Sequence, residues 1–210
     1  MASKNKFAAM SRRAAITAAA LSAMVAMAGC SPKAGGAAEG DMALGAAEGA
    51  KVTVVEYASV TCGHCAVWNQ EVWPEFKAKY VDTNKVRFIF REFPTPPQDI
   101  AAAGFMLARC AGNDKYFDVV HAIMASQQEW AAGVPPRQSL NRIAQGAGMS
   151  AAEIETCLND KDALAALEKR IRAGIEKGVS GTPAFYVNDQ KIVDSSLSSL
   201  SAAVDAELAK

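Results

Sequence analysis

The 210-residue chain carries no excess of charge of either sign, since 22 Lys and Arg stand against 22 Asp and Glu with no long run of one kind. A nucleic-acid footprint needs clustered cations, so the balance argues against nucleic acid and other large anionic partners. Histidine is scarce, with two in the whole chain. Beyond Cys62 and Cys65, the further candidate ligands His64, His121, Cys110 and Cys157 are not paired with one another at short spacing, which argues against a zinc site that needs about four ligands. There is no internal repeat, and no apolar run is long enough to span a bilayer comfortably. The length suits one good-sized domain with an insertion better than two independent cores.

The first thirty residues differ in kind from the rest. Lys4, Lys6, Arg12 and Arg13 precede an apolar, Ala-rich run from Ala14 to Ala28, which is the layout of a secretory signal over residues 1–30. Ser11-Arg12-Arg13 leaves Sec and twin-arginine export both open. Met27-Ala28-Gly29-Cys30 resembles a bacterial lipoprotein box and makes Cys30 a lipidation candidate. Met27 stands where Leu is usual, so ordinary cleavage nearby is the alternative. Residues 31–50 are rich in Ala and Gly and poor in large apolar groups, which reads as a flexible linker.

Export decides what the remaining cysteines, Cys62, Cys65, Cys110 and Cys157, can do. An oxidising compartment allows them to form two bridges, Cys62–Cys65 and Cys110–Cys157, the second stapling a helical region. For that second pair the alternative is two buried thiols.

Lys51 to Ser59 (KVTVVEYAS) is β-branched and nearly continuously apolar, the pattern of a strand covered on both faces. From Cys62 to Tyr80 the spacing of Cys65, Trp68, Val72 and Phe76 predicts a helix with one buried face, kinked at Pro74. Lys85 to Phe93 is a second strand, completing a βαβ unit. Helical periodicity then fills residues 97–178, an all-helical insertion with a capping box opening at Ser150. Ala184 to Val187 and Lys191 to Val193 form a hairpin around Asn188-Asp189, and Leu197, Leu200, Val204 and Leu208 describe a terminal helix.

Cys62-Gly63-His64-Cys65 at a strand-to-helix junction carries the chemistry. The first sulfur falls at the helix tip, where free N–H groups and the helix dipole favour its thiolate; the second falls on the buried face and stays protonated. Gly63 permits close approach of a substrate chain, and His64 adds a donor or positive charge beside Cys62. Stabilising the reduced form makes the disulfide form the stronger oxidant. A metal-binding thiol module, drawing on His64, His121, Cys110 or Cys157, is the alternative from a different class, although His121 among apolar residues reads as a core histidine.

Three segments, VTVVEYASVTCGHC from Val52 to Cys65, RFIFREFP from Arg87 to Pro94, and Gly181-Thr182-Pro183, together resemble the DsbA family of periplasmic disulfide oxidoreductases. The likeness runs from about residue 44 to the C-terminus. It implies an α/β thioredoxin-like fold over residues 51–210 with the helical insertion, and no cofactor. It further implies a cis Thr182–Pro183 peptide beside Cys62, Thr182 offering its backbone to an extended substrate, and Glu56 as a buried acid that carries protons for Cys65. A strand-edge Glu56 reaching solvent is the other reading. The implied activity is insertion of disulfides into unfolded exported proteins by a periplasmic monomer, anchored where Cys30 is lipidated. Reoxidation would fall to a DsbB-like quinone-linked membrane partner. Gly63-His64 departs from the Pro-His usual in DsbA oxidases and matches protein disulfide isomerase, so an isomerase or reductase of the same fold is the alternative. The N-terminal dimerisation domain usual in such isomerases is not seen.

Overall fold

The computed structural model describes residues 38–210. The proposed leader, the lipidation candidate Cys30 and residues 31–37 of the linker lie outside the described residues. Strand β2 (Thr53–Ala58) is followed by helices α1 (Gly63–Glu71) and α2 (Trp73–Phe76), a π-helical turn over Lys77–Val81, and strand β3 (Arg87–Glu92). β2 and β3 pair in parallel, closing the expected βαβ unit. The single helix read across residues 62–80 is interrupted at Val72, because Pro74 sits in the first turn of α2 and lacks the N–H that would continue α1.

The insertion is helical throughout: α3 (Gln98–Cys110), α4 (Tyr116–Ala125), α5 (Gln127–Ala131), α6 (Pro136–Gly146), α7 (Ala151–Leu158) and α8 (Lys161–Glu176). The capping box at Ser150 is formed, with Glu153 returning the bond to the Ser150 N–H at 2.7 Å. The chain then returns to the sheet through β4 (Ala184–Val187) and β5 (Gln190–Ile192) and ends in α9 (Leu197–Ala209).

The reading of residues 31–50 as a flexible linker fails over its last part. Met42–Gly45 forms strand β1, antiparallel to β3, in a sheet ordered β1-β3-β2-β4-β5. Two anchors override the loop-like composition: Met42 is buried, and Asp41 receives a forked pair of bonds from Arg91, Nε at 2.9 Å and Nη2 at 2.8 Å.

β2 is covered on both faces, as its composition requires. On one side Val54, Phe88, Phe90, Phe185 and Val187 join a large core with α1 to α4 and α9. Trp68 lies 4.6 Å from Phe185 by ring centroid, and Trp73 4.5 Å from Phe88. On the other side Val55, Tyr57, Ile89 and Tyr186 form a smaller cluster. Helix α8 closes over it at Gly174, where a Cβ would stand 3.1 Å from the Tyr57 ring and 3.3 Å from Phe93. A larger residue there would lift the helix off the sheet.

Candidate active site

The site begins where β2 stops. Cys62 takes an extended conformation (φ −84°, ψ 117°) and is the N-cap of α1; its sulfur accepts from the Cys65 N–H at 3.2 Å. Cys62 is 8% exposed and Cys65 0%. Only the first sulfur is therefore open to a substrate, and it is more enclosed than its helix-tip position suggests. The Cys62 thiol is lowered from 9.0 to about 6 by the hydrogen bond from the Cys65 thiol, then by the Thr182 side chain and the Cys65 and His64 backbone N–H groups, against the opposing effect of burial. His64 thus acts on the sulfur through its amide, while its ring is exposed at the rim of the neighbouring groove. Burial, reinforced by the Cys62 thiolate, drives the Cys65 thiol far above the ordinary range. The two sulfurs divide into an acidic, reachable one and a buried one that holds its proton.

Strand register fixes the face of Glu56. It is paired with Phe90 on one side and Phe185 on the other, both members of the large core that also holds Cys62 and Cys65. Glu56 therefore points under the active site and is 3% exposed. Burial first and the Cys62 charge second push its carboxyl up from 4.5 to about 8. At neutral pH it is chiefly protonated and coupled to both sulfurs.

The Thr182–Pro183 peptide bond is cis, and the Thr182 carbonyl oxygen lies 3.5 Å from the Cys62 sulfur. Beside it a groove of about 420 Å³ runs between α1 and the β4–β5 hairpin, lined by His64, Val67, Trp68, Pro183, Ile192 and Val193 among others. Val193 is almost fully exposed, Val67 half exposed, and nothing lies within 4 Å of a Cβ built on Gly63. The floor is rigid: the Trp68 indole N–H donates to the Ser195 carbonyl at 2.9 Å. A second cavity, about 350 Å³ against Tyr57, Arg91 and α8, includes neither sulfur in its lining.

Cys62, Cys65, Glu56, Thr182 and Pro183 thus converge, with Gly63 and His64 at their outer edge. Cys110 and Cys157 lie apart from them and are bonded to each other, joining the end of α3 to α7. That pair cannot serve as zinc ligands, and no group of three or more metal-ligating side chains exists among the described residues. His121 packs 5.4 Å from the Trp73 ring, and burial lowers its pKa to about 4.

Sequence reasoning missed two arrangements. Glu92, 2% exposed, is surrounded by Arg109, Arg170 (Nε at 3.1 Å) and the Tyr116 hydroxyl (3.3 Å). β3 carries Arg87 and Arg91 as well as Glu92, so no local pattern singles Glu92 out as the buried charge. Gln127, the first residue of α5, donates to the Val60 and Cys62 carbonyls at 2.8 and 3.3 Å; no pattern in the sequence marks it.

Residues 37–206 match the family model described as Thioredoxin. A Rickettsia conorii protein, provisionally named a protein-disulfide oxidoreductase, is 40% identical over 173 residues, covering 81% of this chain and 61% of the relative. The chain thus spans about three-fifths of that relative's length. Among solved structures, alpha-DsbA1 of Wolbachia pipientis superposes with a TM-score of 0.72 at 26% identity, covering 83% of this chain and 94% of that one. A protein-disulfide isomerase from Novosphingobium aromaticivorans shares the fold, with a TM-score of 0.68 at 23% identity over 83% of this chain and all of that one.

Proposed function

Because the chain belongs to the thioredoxin family, on its DsbA-like branch, we propose that it inserts disulfide bonds into exported proteins by donating a Cys62–Cys65 disulfide. The observation that carries this reading is the asymmetry of the two sulfurs: Cys62 caps α1 and accepts from the Cys65 N–H at 3.2 Å at the edge of the surface, whereas Cys65 is fully buried, and their thiols shift accordingly, Cys62 down to about 6 and Cys65 up. In the oxidised protein a substrate thiolate attacks Cys62, a substrate–Cys62 bond forms, the Cys62–Cys65 bond breaks, and Cys65 leaves as a thiolate. Glu56, protonated at neutral pH, delivers a proton towards Cys65 as it leaves. A second substrate thiolate then attacks the substrate sulfur of the mixed disulfide. The substrate departs oxidised, and Cys62 departs as the thiolate its surroundings favour. Relative to an unperturbed thiol, that preference favours reduced protein at pH 7 by on the order of 1 kcal/mol, some tens of millivolts, as an upper bound because solvent partly screens the thiolate.

The groove beside Pro183 suits an extended, partly apolar segment of an unfolded client, with Thr182 contributing backbone contacts. The Cys110–Cys157 bridge fits an oxidising, periplasmic location. Reoxidation falls to a quinone-linked membrane protein of the DsbB kind, and the protein works as a monomer. Gly63-His64 favours isomerisation as the second reading. Mixing stoichiometric oxidised protein with a reduced, unfolded substrate of several cysteines separates the two. The oxidase reading expects rapid disulfide insertion, loss of transfer in Cys62→Ser and accumulated mixed disulfides in Cys65→Ser. Untouched reduced substrate together with faster reshuffling of scrambled substrate would establish the isomerase instead.

A further inference from the structure

We propose that Gln127 is a positioning residue of the dithiol site: from the helical insertion, it clamps the loop that presents Cys62 and thereby sets how acidic that sulfur is. The inference rests on the reading of Cys62 as the reacting thiol and deepens it. β2 ends at Ala58, and α1 begins at Gly63. The four residues between must turn the chain so that the Cys62 sulfur meets the first free N–H groups of α1, yet they are buried or half-buried and belong to no regular element. Their backbone groups need partners outside a regular ladder. Within the loop the Cys62 N–H donates to the Ser59 carbonyl at 3.2 Å and the Thr61 N–H to Ser59 Oγ at 3.3 Å, while the Ser59 and Thr61 hydroxyls are fixed by Thr95, whose N–H donates to Ser59 Oγ at 3.1 Å and whose carbonyl accepts from Thr61 Oγ1 at 2.8 Å.

The Val60 carbonyl finds its partner in Gln127, at 2.8 Å, and no other donor to it occurs among the described residues. The same side-chain nitrogen reaches the Cys62 carbonyl at 3.3 Å. Because both partners are carbonyl oxygens, the amide nitrogen must face the loop, which settles its orientation. Two consequences follow for Cys62. The forked amide holds the residue in the extended conformation that lets its sulfur accept from the Cys65 N–H. It also sets the positive end of an N–H dipole against the Cys62 carbonyl at 3.3 Å.

The side chain of Val60 is held by the same insertion. It packs so closely on α3 that a Cβ on Gly104 would lie 2.8 Å from its Cγ2, with Ile123 of α4 at 3.4 Å from the same point. Loop backbone and loop side chain are therefore both gripped by the insertion, so the placement of the insertion is transmitted to the sulfur.

The test measures the pKa of Cys62 from the pH dependence of its alkylation, and the redox potential, in the full chain and in Gln127→Met and Gln127→Glu. Met keeps length and packing while losing the donors. Glu sets a carboxylate against two carbonyl oxygens. Both variants should raise the Cys62 pKa, slowing alkylation at pH 5.5 by about threefold or more, since one unit is tenfold in thiolate at fixed pH below the midpoint. The plateau rate at high pH should be unchanged, and the potential should move in the reducing direction. A purely structural role would lower thermal stability while leaving pKa and potential at wild-type values; that result in whichever variant folds overturns the proposal. A wild-type Cys62 with an ordinary thiol pKa would instead overturn the underlying reading of the site.

Discussion

Glu56 offers the sharpest quantitative test, because changing one atom should increase stability while damaging function. Its folded pKa of about 8 stands above the unfolded value of 4.5. Below pH 4.5 the carboxyl is neutral in both states and the site carries no penalty. Above it the unfolded chain releases a proton that the folded protein retains, so stability falls as pH rises and levels off near pH 8. At pH 7 the accumulated loss is about 3 kcal/mol, and with the side chain fully buried little of it is screened. Glu56→Gln keeps the shape and cannot ionise. Urea denaturation of wild type and variant under reducing conditions should show no difference near pH 4.5 and a gain for the variant of about 2–3 kcal/mol at pH 7, after allowing for burial of the amide. The titration of Cys62 is common to both proteins and cancels to first order. In the oxidised protein the gain should persist but shrink, because the Cys62 charge is the lesser of the two causes. A difference that stays flat between pH 5 and 8 would mean that Glu56 titrates in the folded protein as it does in the unfolded chain, and the proton-carrying role would go with it.

Alkylation of Cys62 should be half-maximal near pH 6; a midpoint near the usual thiol value of about 8.5 contradicts the helix-tip argument. Replacing Cys110 and Cys157 together by Ala opens a covalent link spanning 47 residues. Urea midpoints should then register a loss of about 4 kcal/mol in the chain-entropy model, with the Cys62 alkylation profile unmoved. Glu92→Ala should destabilise by about 3–5 kcal/mol, since it strands the Arg109 and Arg170 guanidinium groups. Denaturation curves at pH 7 would thus move in opposite directions for the two buried carboxylates, and equal shifts would refute the distinction drawn between them.

What could be read from the sequence follows the range of the forces involved. Strands β2 and β3, the kink at Pro74, the helical insertion and the CxxC turn are written in local periodicity and in residues with restricted backbones, and these emerged at nearly the observed boundaries. The face of Glu56 could not be read, because a strand buried on both sides has no alternation to mark one; only its pairing with Phe90 and Phe185 decides it. β1 was hidden for a related reason. Its four residues pair with β3, and the Asp41 just before them is held by Arg91, fifty positions away; pairing across that distance leaves no mark on local composition. The Glu92 cluster and the Gln127 clamp are likewise tertiary, each drawing a polar side chain to partners on other elements.

The sheet's outer strands have a bearing on life among unfolded chains. Both rims are stubs: β1 has four residues and β5 three. β1 stops at Gly45, whose positive φ of 81° and close approach to the Val86 carbonyl leave no room for a side chain. β5 exposes Gln190 and Lys191, a polar pair set where another strand would add. If its clients are unfolded chains, as proposed, arriving extended, apolar and ready to pair, the protein would be vulnerable to being templated into aggregates along any long, open ladder. Under the proposed function, rims this short, one of them polar, leave the groove at Pro183 as the place where a strand-like guest would settle, so resistance to co-aggregation and the choice of docking point come from the same economy of edge.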